Sequence, residues 1–261
     1  MSYSTSFFTA LAAAGLLLGS CNNKPAGTTG NSGWEVYGGN KQNNRYVDLK
    51  EIDSANVQQL KAVWTYHTND ADSNTQIQVN PIVIDTVLYG ITPKLKLFAL
   101  HAATGREIWV YDPVKDTVGM IDPAAFSFNV SRGLAAYKNG QERLLFYSAN
   151  GKLYCIDALT GKPKRSFGDM GRVDLHDGLG RNVSHLYVAG TTPGIIYKDL
   201  IIVGMRVAEE AVAAPGHIRA YDVHSGRLVW TFHTIPQPGE PGFESWEDSL
   251  AYKHVGGANV W

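Results

Sequence analysis

Three places in this sequence carry side chains suited to chemistry outside regular strand alternation. They are Arg132 in NVSRGLAAY, Glu209 with Glu210 beside it in VGMRVAEEAVAAPGHIRAYD, and Trp261 in GGANVW. A guanidinium presents a rigid planar fork to a carboxylate; on a loop it is otherwise a solvated surface charge. A carboxylate suits a hard divalent cation, and such an ion polarises a carbonyl as a Lewis acid; adjacent loop acids are otherwise a solvated pair. An indole face stacks on a flat conjugated ring, or else packs between sheets. Thr191 and Thr192 add hydroxyls, and Gln78, Asn80 and Asn259 add amides that can donate or accept. Other signatures are missing: the eight His form no HExxH or close ligand pair, and there is no GxGxxG, Walker, CxxC or CxxCH string. Zinc, NAD, ATP and covalently attached haem therefore lack support.

What must position these groups is a strand protein. The chain has 261 residues, enough to bury a large core as one domain or two small ones. Its 27 Gly and 13 Tyr favour turn-rich strands over helices. With 23 Lys plus Arg against 24 Asp plus Glu, the net charge of -1 gives no footprint for a nucleic-acid backbone. Two cysteines exclude a disulfide-dense scaffold. The one short helical candidate is Asp53 to Leu60, DSANVQQL, with Ser54 as its cap.

A strand pair with a turn recurs. The first copy is PIVIDTVL, KLFAL, HAATGREIWVY; the second is RLLF, KLYCIDALTGKPKRSF; the third is GIIYKDLIIV, HIRAYDVHSGRLVWTF. A half copy, KAVWTYHT, begins at Lys61. Asp157 and Asp222 share a position held by His101 in the first copy, followed by Thr104-Gly105, Thr160-Gly161 and Ser225-Gly226. Asp and Thr satisfy turn amides while Gly accepts positive φ. Trp109 and Trp230 follow their Gly by four residues, whereas Arg165 takes that place in the middle copy. The turn glycines are 56 and 65 residues apart, which leaves room for inserted loops. Each unit reads as a small antiparallel sheet whose faces need neighbouring sheets. Radial stacking into a β-propeller provides them, with Trp bridging adjacent blades. Three units and a partial one are too few to close a ring, and the apolar ending predicts the N-terminal part of a longer protein.

Residues 1–20 read as an export signal: the apolar run FFTALAAAGLLLGS is shorter than the roughly 20 residues of a transmembrane helix. LLLGSC resembles the lipobox of bacterial lipoproteins, which implies cleavage before Cys21 and lipidation of its thiol. The first eight residues hold no Lys or Arg, a departure from a usual signal. Residues 21–33 read as a flexible tether, and 34–261 as the folded part. Cys155, in KLYCID, reads as a buried structural thiol.

Several longer strings carry a family resemblance. WEVYGGNKQNNRYVDLKEIDSANVQQLKAVWTYHT, QVNPIVIDTVLYGITPKLKLFALHAATG, SRGLAAY, GKLYCIDALTGKP, IRAYDVHSGRLVWTFHTIPQPGEPGFESWE and GGANVW together resemble the bacterial quinoprotein dehydrogenases. These use pyrroloquinoline quinone (PQQ), and the likeness is strongest to their glucose-dehydrogenase-like members. The resemblance implies an all-β fold, here about three to four blades of an eight-bladed propeller. It implies PQQ on the axis with Ca²⁺ or another divalent cation, oxidation of an aldose or alcohol, and transfer of two electrons to a quinone or cytochrome c. Carried over residue by residue, it makes Arg132 a cofactor contact, Glu209 (or Glu210 after a one-residue slip) the metal ligand, and Trp261 the floor beneath the cofactor. Thr191, Thr192, Gln78 and Asn259 are weaker cofactor contacts. The catalytic Asp of the family has no counterpart among these residues, so the chain alone is expected to be inactive.

One departure narrows the branch. Alcohol dehydrogenases of the family carry adjacent cysteines about six residues before the cofactor arginine, forming a disulfide ring over PQQ; Phe126 and Ser127 stand there in this chain. This favours the glucose-type branch. The loop from Thr234 to Val255 reads either as a wall of the substrate funnel or as outer decoration. A competing class is the propeller lipoprotein that serves as a docking scaffold in outer-membrane assembly. SRGLAAY, VAEE and GGANVW argue against it, since a scaffold needs no cofactor floor or axial acid. The implied location is the periplasmic side of a bacterial membrane, lipid-anchored, or otherwise periplasmic or secreted.

Overall fold

The computed structural model describes residues 33–116, 130–210 and 212–257. The repeat becomes three four-stranded antiparallel sheets. The first runs β1 (Ile82–Ile84), β2 (Val87–Ile91), β3 (Leu97–His101), β4 (Glu107–Tyr111). The second runs β5 (Ala135–Asn139), β6 (Glu142–Ala149), β7 (Lys152–Asp157), β8 (Arg172–Asp174). The third interrupts its meander: β9 (Val188–Ala189) and β12 (Arg206–Val207) pair with each other, while β10 (Ile195–Tyr197), β11 (Leu200–Val203), β13 (Ile218–Asp222) and β14 (Leu228–Phe232) form the sheet.

The central strands show why the sheets stack. Along β6, Leu144 and Phe146 enter one core with Leu153, Cys155, Ile201, Val203 and Tyr221, between the second and third sheets. Leu145 and Tyr147 point the other way, into a core with Ile82, Ile91, Leu97 and Ala99, between the first and second. Side chains alternate across a strand, so a strand apolar at successive positions needs cover on both faces. The stack is an unclosed arc of β-propeller type. Its free face on the third sheet exposes Ile195, Tyr197 and Phe232. Among the described residues no helix is long and apolar enough to cross a membrane. Cys155 is fully buried and unpaired, and burial pushes its thiol up.

The turns carry out the chemistry their sequences encode. Asp157 Oδ1 accepts from the Thr160 amide and hydroxyl, both at 2.8 Å. Asp222 Oδ1 accepts likewise from Ser225, at 2.8 and 2.7 Å. In the first copy His101 Nδ1 lies 3.1 Å from Thr104 Oγ1. Gly161 closes its turn at φ +68°, and a β-carbon there would stand 2.5 Å from the indole of Trp109. Trp109 Nε1 donates to Ala158 O at 3.1 Å, so this Trp does bridge two blades.

Three expectations need correction. DSANVQQL forms only a single 3-10 turn, Val57–Gln59, and the amides ahead of it are held by Asp53 Oδ1, not by Ser54. Asp53, Ser54, Asn56 and β-branched Val57 are weak helix formers, and with no packed face too little is left to extend it. The half copy from Lys61 is not a ladder strand; Trp64 and Tyr66 instead reach the first sheet through Ala102 O and Glu107. In the middle copy, KPKRSF makes only an isolated bridge, Ile156 with Pro163, and the fourth strand is β8 further on. Pro163 has no N–H for the ladder, and Phe167 turns inward against Phe146 at 5.5 Å.

Candidate functional site at the inner rim

Each sheet begins at its innermost strand, and the residues leading into those strands meet. The Asn80 amide donates to Arg132 O at 2.9 Å, and the Arg132 amide donates to Thr191 O at 2.9 Å. Asn80 and Gly133 form a parallel bridge. Three successive inner strands are thus stitched side by side where they enter. Gly133, at φ +149°, is required: a β-carbon would stand 3.0 Å from Asn80 O.

Thr191 is 2% exposed and its Oγ1 is buried without a hydrogen-bond partner among the described residues. A buried unpaired hydroxyl costs on the order of 1–3 kcal/mol. It is therefore a place where a ligand acceptor or donor would be gained at no competing loss. Thr192, next in sequence, and Arg132, on the adjoining strand entrance, are half-buried. Gln78 is exposed; its Nε2 donates to Gln76 Oε1 at 3.1 Å, and it reaches the rim only through its chain neighbour Asn80.

β9 leads directly into Gly190 and Thr191, and β12 pairs with it, Arg206 opposite Ala189 and Val207 opposite Val188. The antiparallel register carries the chain away from Thr191 as it approaches Glu209. Glu209 and Glu210 are exposed, with neither a hydrogen-bond nor an ion-pair partner among the described residues. No three His, Cys, Asp or Glu groups among the described residues come together to hold a metal. Cys21, Phe126, Ser127, Asn259 and Trp261 lie outside the described residues.

The approach to GGANVW is described as far as Gly257. The Ala213 amide donates to His254 O at 3.1 Å, and the Gly216 amide donates to Gly256 O. A β-carbon on Gly256 would stand 2.9 Å from both Ala213 Cβ and Val207 Cγ2. This chain segment is docked against the loop that carries Glu209. The long loop from Thr234 leaves the outermost strand β14 and returns inward here. Its order is local: Glu240 Oε2 accepts from the Gln237 amide at 2.8 Å, and Glu240 Oε1 lies 2.7 Å from His233 Nδ1.

Three groups on this face escape sequence reasoning because only distant contacts define them. His217, 3% exposed, has both ring nitrogens unpartnered and lies edge-on to His233 at 4.6 Å between centroids. Burial, with His233 and the nearby Arg219 and Arg181 charges, holds it down to about 4. Arg219, fully buried, donates to Leu175 O and Asp177 O and contacts Met205 Sδ. Arg181 binds the carbonyls of Ala213, Tyr252 and Val255. HIRAYD reads as ordinary strand alternation, and GLGR as an ordinary loop.

An open arc of four-stranded sheets, its inner-strand entrances stitched into one rim, defines the class: an unclosed part of a β-propeller. The family follows from comparison. Residues 34–261 match the family model described as glucose/ethanol/alcohol dehydrogenase, beta-propeller domain, of the PQQ type, and the chain belongs to this family. It is 33% identical over 242 residues to the dehydrogenase subunit of the quinone alcohol dehydrogenase of Gluconobacter oxydans (strain 621H), covering 87% of this chain and 30% of that protein. It is 31% identical over 232 residues to quinoprotein glucose dehydrogenase A of Acinetobacter calcoaceticus, covering 78% and 28%. Among solved structures, the quinohemoprotein alcohol dehydrogenase ADHIIG of Pseudomonas putida HK5 superposes with a TM-score of 0.68 at 29% identity, covering 88% of this chain and 32% of that one. The chain therefore spans about three-tenths of the length of these relatives. Identity does not separate the alcohol from the glucose branch.

Proposed function

We propose that the protein serves as a PQQ-dependent dehydrogenase that oxidises an aldose such as glucose, or a related alcohol, and passes electrons to a quinone or cytochrome c. The observation that carries this reading is the stitched rim, with the unpaired Thr191 hydroxyl beside Arg132. PQQ, when bound, supplies two-electron quinone chemistry. The protein's own residues bind and orient it. Arg132 offers its guanidinium to a carboxylate of the cofactor. Thr191 and Thr192 supply hydroxyls, and Gln78 and Asn259 supply amides at the periphery. Glu209, or Glu210 beside it, is the carboxylate ligand for Ca²⁺ or another divalent cation. Since no three His, Cys, Asp or Glu groups gather among the described residues, the cation would need oxygen ligands of other kinds, such as amides, beside this carboxylate. Trp261 would supply an indole face for the flat ring system. Phe126 and Ser127, in place of paired cysteines, support the aldose branch. Cys21 carries a lipid anchor that holds the protein on the periplasmic side of a membrane.

The test is isothermal titration of the full-length protein with PQQ in the presence of Ca²⁺. Saturable uptake is expected. Arg132→Gln and Thr191→Val are each expected to weaken it by roughly tenfold or more, the value of one charge-assisted or buried hydrogen bond. No saturable uptake, or uptake indifferent to both substitutions, contradicts the reading.

A further inference from the structure

Arg181 lies in the loop between β8 and β9, within GLGRNVSH. Its guanidinium has no carboxylate partner among the described residues. It donates instead to three backbone carbonyls: Ala213 O, Tyr252 O at 3.4 Å and Val255 O at 3.1 Å. Its Nε is buried with no partner. Desolvation disfavours its charge, yet an arginine stays ionised in such surroundings. A partly buried cation held by carbonyls alone is costly unless the geometry is well met. A planar fork with five donors meets it in a way that a point charge does not.

The carbonyls come from two segments. Ala213 follows the Glu209–Glu210 loop. Tyr252 and Val255 precede Gly256 and Gly257, the start of the string that ends in Asn259 and Trp261. The same two segments touch through the Ala213–His254 and Gly216–Gly256 bonds and through Gly256 packed on Val207. Arg219 offers an internal contrast. It too is a buried guanidinium bound to carbonyls, at Leu175 and Asp177, but it makes no bond to residues 251–257.

We infer that Arg181 is a positioning residue: it clamps the loop after Glu209 and Glu210 to residues 252–257, the two segments that adjoin the proposed metal-ligand and cofactor-floor residues in sequence. This inference rests on the cofactor reading above. The clamp itself does not.

The experiment uses the full-length protein with Arg181→Gln, Arg181→Lys and, for contrast, Arg219→Gln. Amide hydrogen exchange is measured first, without cofactor. Arg181→Gln is expected to lose about tenfold or more of protection over residues 251–257, with Arg181→Lys intermediate and Arg219→Gln unchanged there. PQQ with Ca²⁺ is then titrated and followed by protein fluorescence. Arg181→Gln is expected to bind about tenfold more weakly, with affinity recovered by added guanidinium ion at a non-denaturing concentration. If Arg181→Gln fails to fold, Arg181→Lys carries both readouts. Unchanged protection over 251–257 overturns the clamp. Lost protection with unchanged PQQ affinity, or no recovery with guanidinium, overturns the positioning role. No PQQ uptake by the unsubstituted protein overturns the cofactor reading, while exchange still decides the clamp.

Discussion

The two blade junctions solve one packing problem in different ways. Between the first and second sheets, Trp109 lies on the Gly161 turn and hydrogen-bonds Ala158 O. Trp64 repeats that arrangement on the Gly105 turn, where a β-carbon would stand 2.6 Å from its indole, and it donates to Ala102 O at 3.0 Å. Between the second and third sheets no indole lies among the described residues. Arg165 takes the Trp position and turns to Asp116, at 3.1 Å, and to Met170 O, at 2.9 Å. The Gly226 turn is covered instead by backbone: Gly168 N donates to Ser225 O at 2.8 Å, and a β-carbon on Gly226 would stand 2.6 Å from that nitrogen and 2.9 Å from Val173 Cγ2. The repeat thus fixes the turn, a glycine at positive φ under close cover, but leaves open which group covers it. A side chain or a loop will do, provided it excludes water and answers a carbonyl.

Substitutions at these junctions sharpen the comparison. Trp109→Ala removes a half-buried indole face and its hydrogen bond, and should cost about 2–3 kcal/mol in urea unfolding. A loss under about 1 kcal/mol would show that the indole does not join the sheets. At Gly226, alanine meets both a positive φ and a backbone nitrogen that cannot swing aside, so about 2–3 kcal/mol is expected. Arg165→Ala breaks an ion pair whose Asp116 carboxylate is largely buried, and should cost about 1–2 kcal/mol because the Tyr111 hydroxyl still donates to that carboxylate. Arg165→Trp should not stabilise, because Gly168 and Val173 already fill the slot; a clear gain would mean that the loop is a poor substitute for the indole.

The third sheet adds a pH dependence through a buried histidine at its edge. His217 is held neutral, at about 4 against its ordinary 6.5, so the unfolded chain binds the extra proton between those values. Its contribution is complete above about pH 6.5 and is lost as pH falls toward 4, amounting to about 2–3 kcal/mol. His233, Glu240, Arg219 and Arg181 face the ring from the neighbouring elements. His217→Phe should flatten the slope of stability with pH in this window, and an unchanged slope would place the titration elsewhere. The smallest expected effect is chemical. Cys155, fully buried with its thiol pushed up, should resist a thiol reagent until the protein opens.

Much of the scaffold was legible because local chemistry and long-range packing agree. The Asp-x-x-Thr-Gly turns, the strand alternation and the bridging Trp109 each need one environment, and the fold supplies it. Legibility failed where the two conflict. KPKRSF keeps the repeat's spacing, but Pro163 removes a donor and Phe167 finds a better place in the core. Asp53 outcompetes Ser54 because its carboxylate reaches two amides at once. For the site, motif likeness singles out Arg132 and Thr191, but not the backbone bonds that bring their strands together. Nothing local marks Arg181 or His217; their partners lie tens of residues away.

Three successive inner strands place Asn80, Arg132 and Thr191 on one rim, which we propose receives PQQ. A crystal structure of the full-length protein with PQQ and Ca²⁺ tests it most directly. The account predicts the Arg132 guanidinium and the Thr191 hydroxyl within about 3.2 Å of polar atoms of the cofactor. Cofactor density elsewhere, with Thr191 Oγ1 still unpaired and Arg132 turned away, would contradict it.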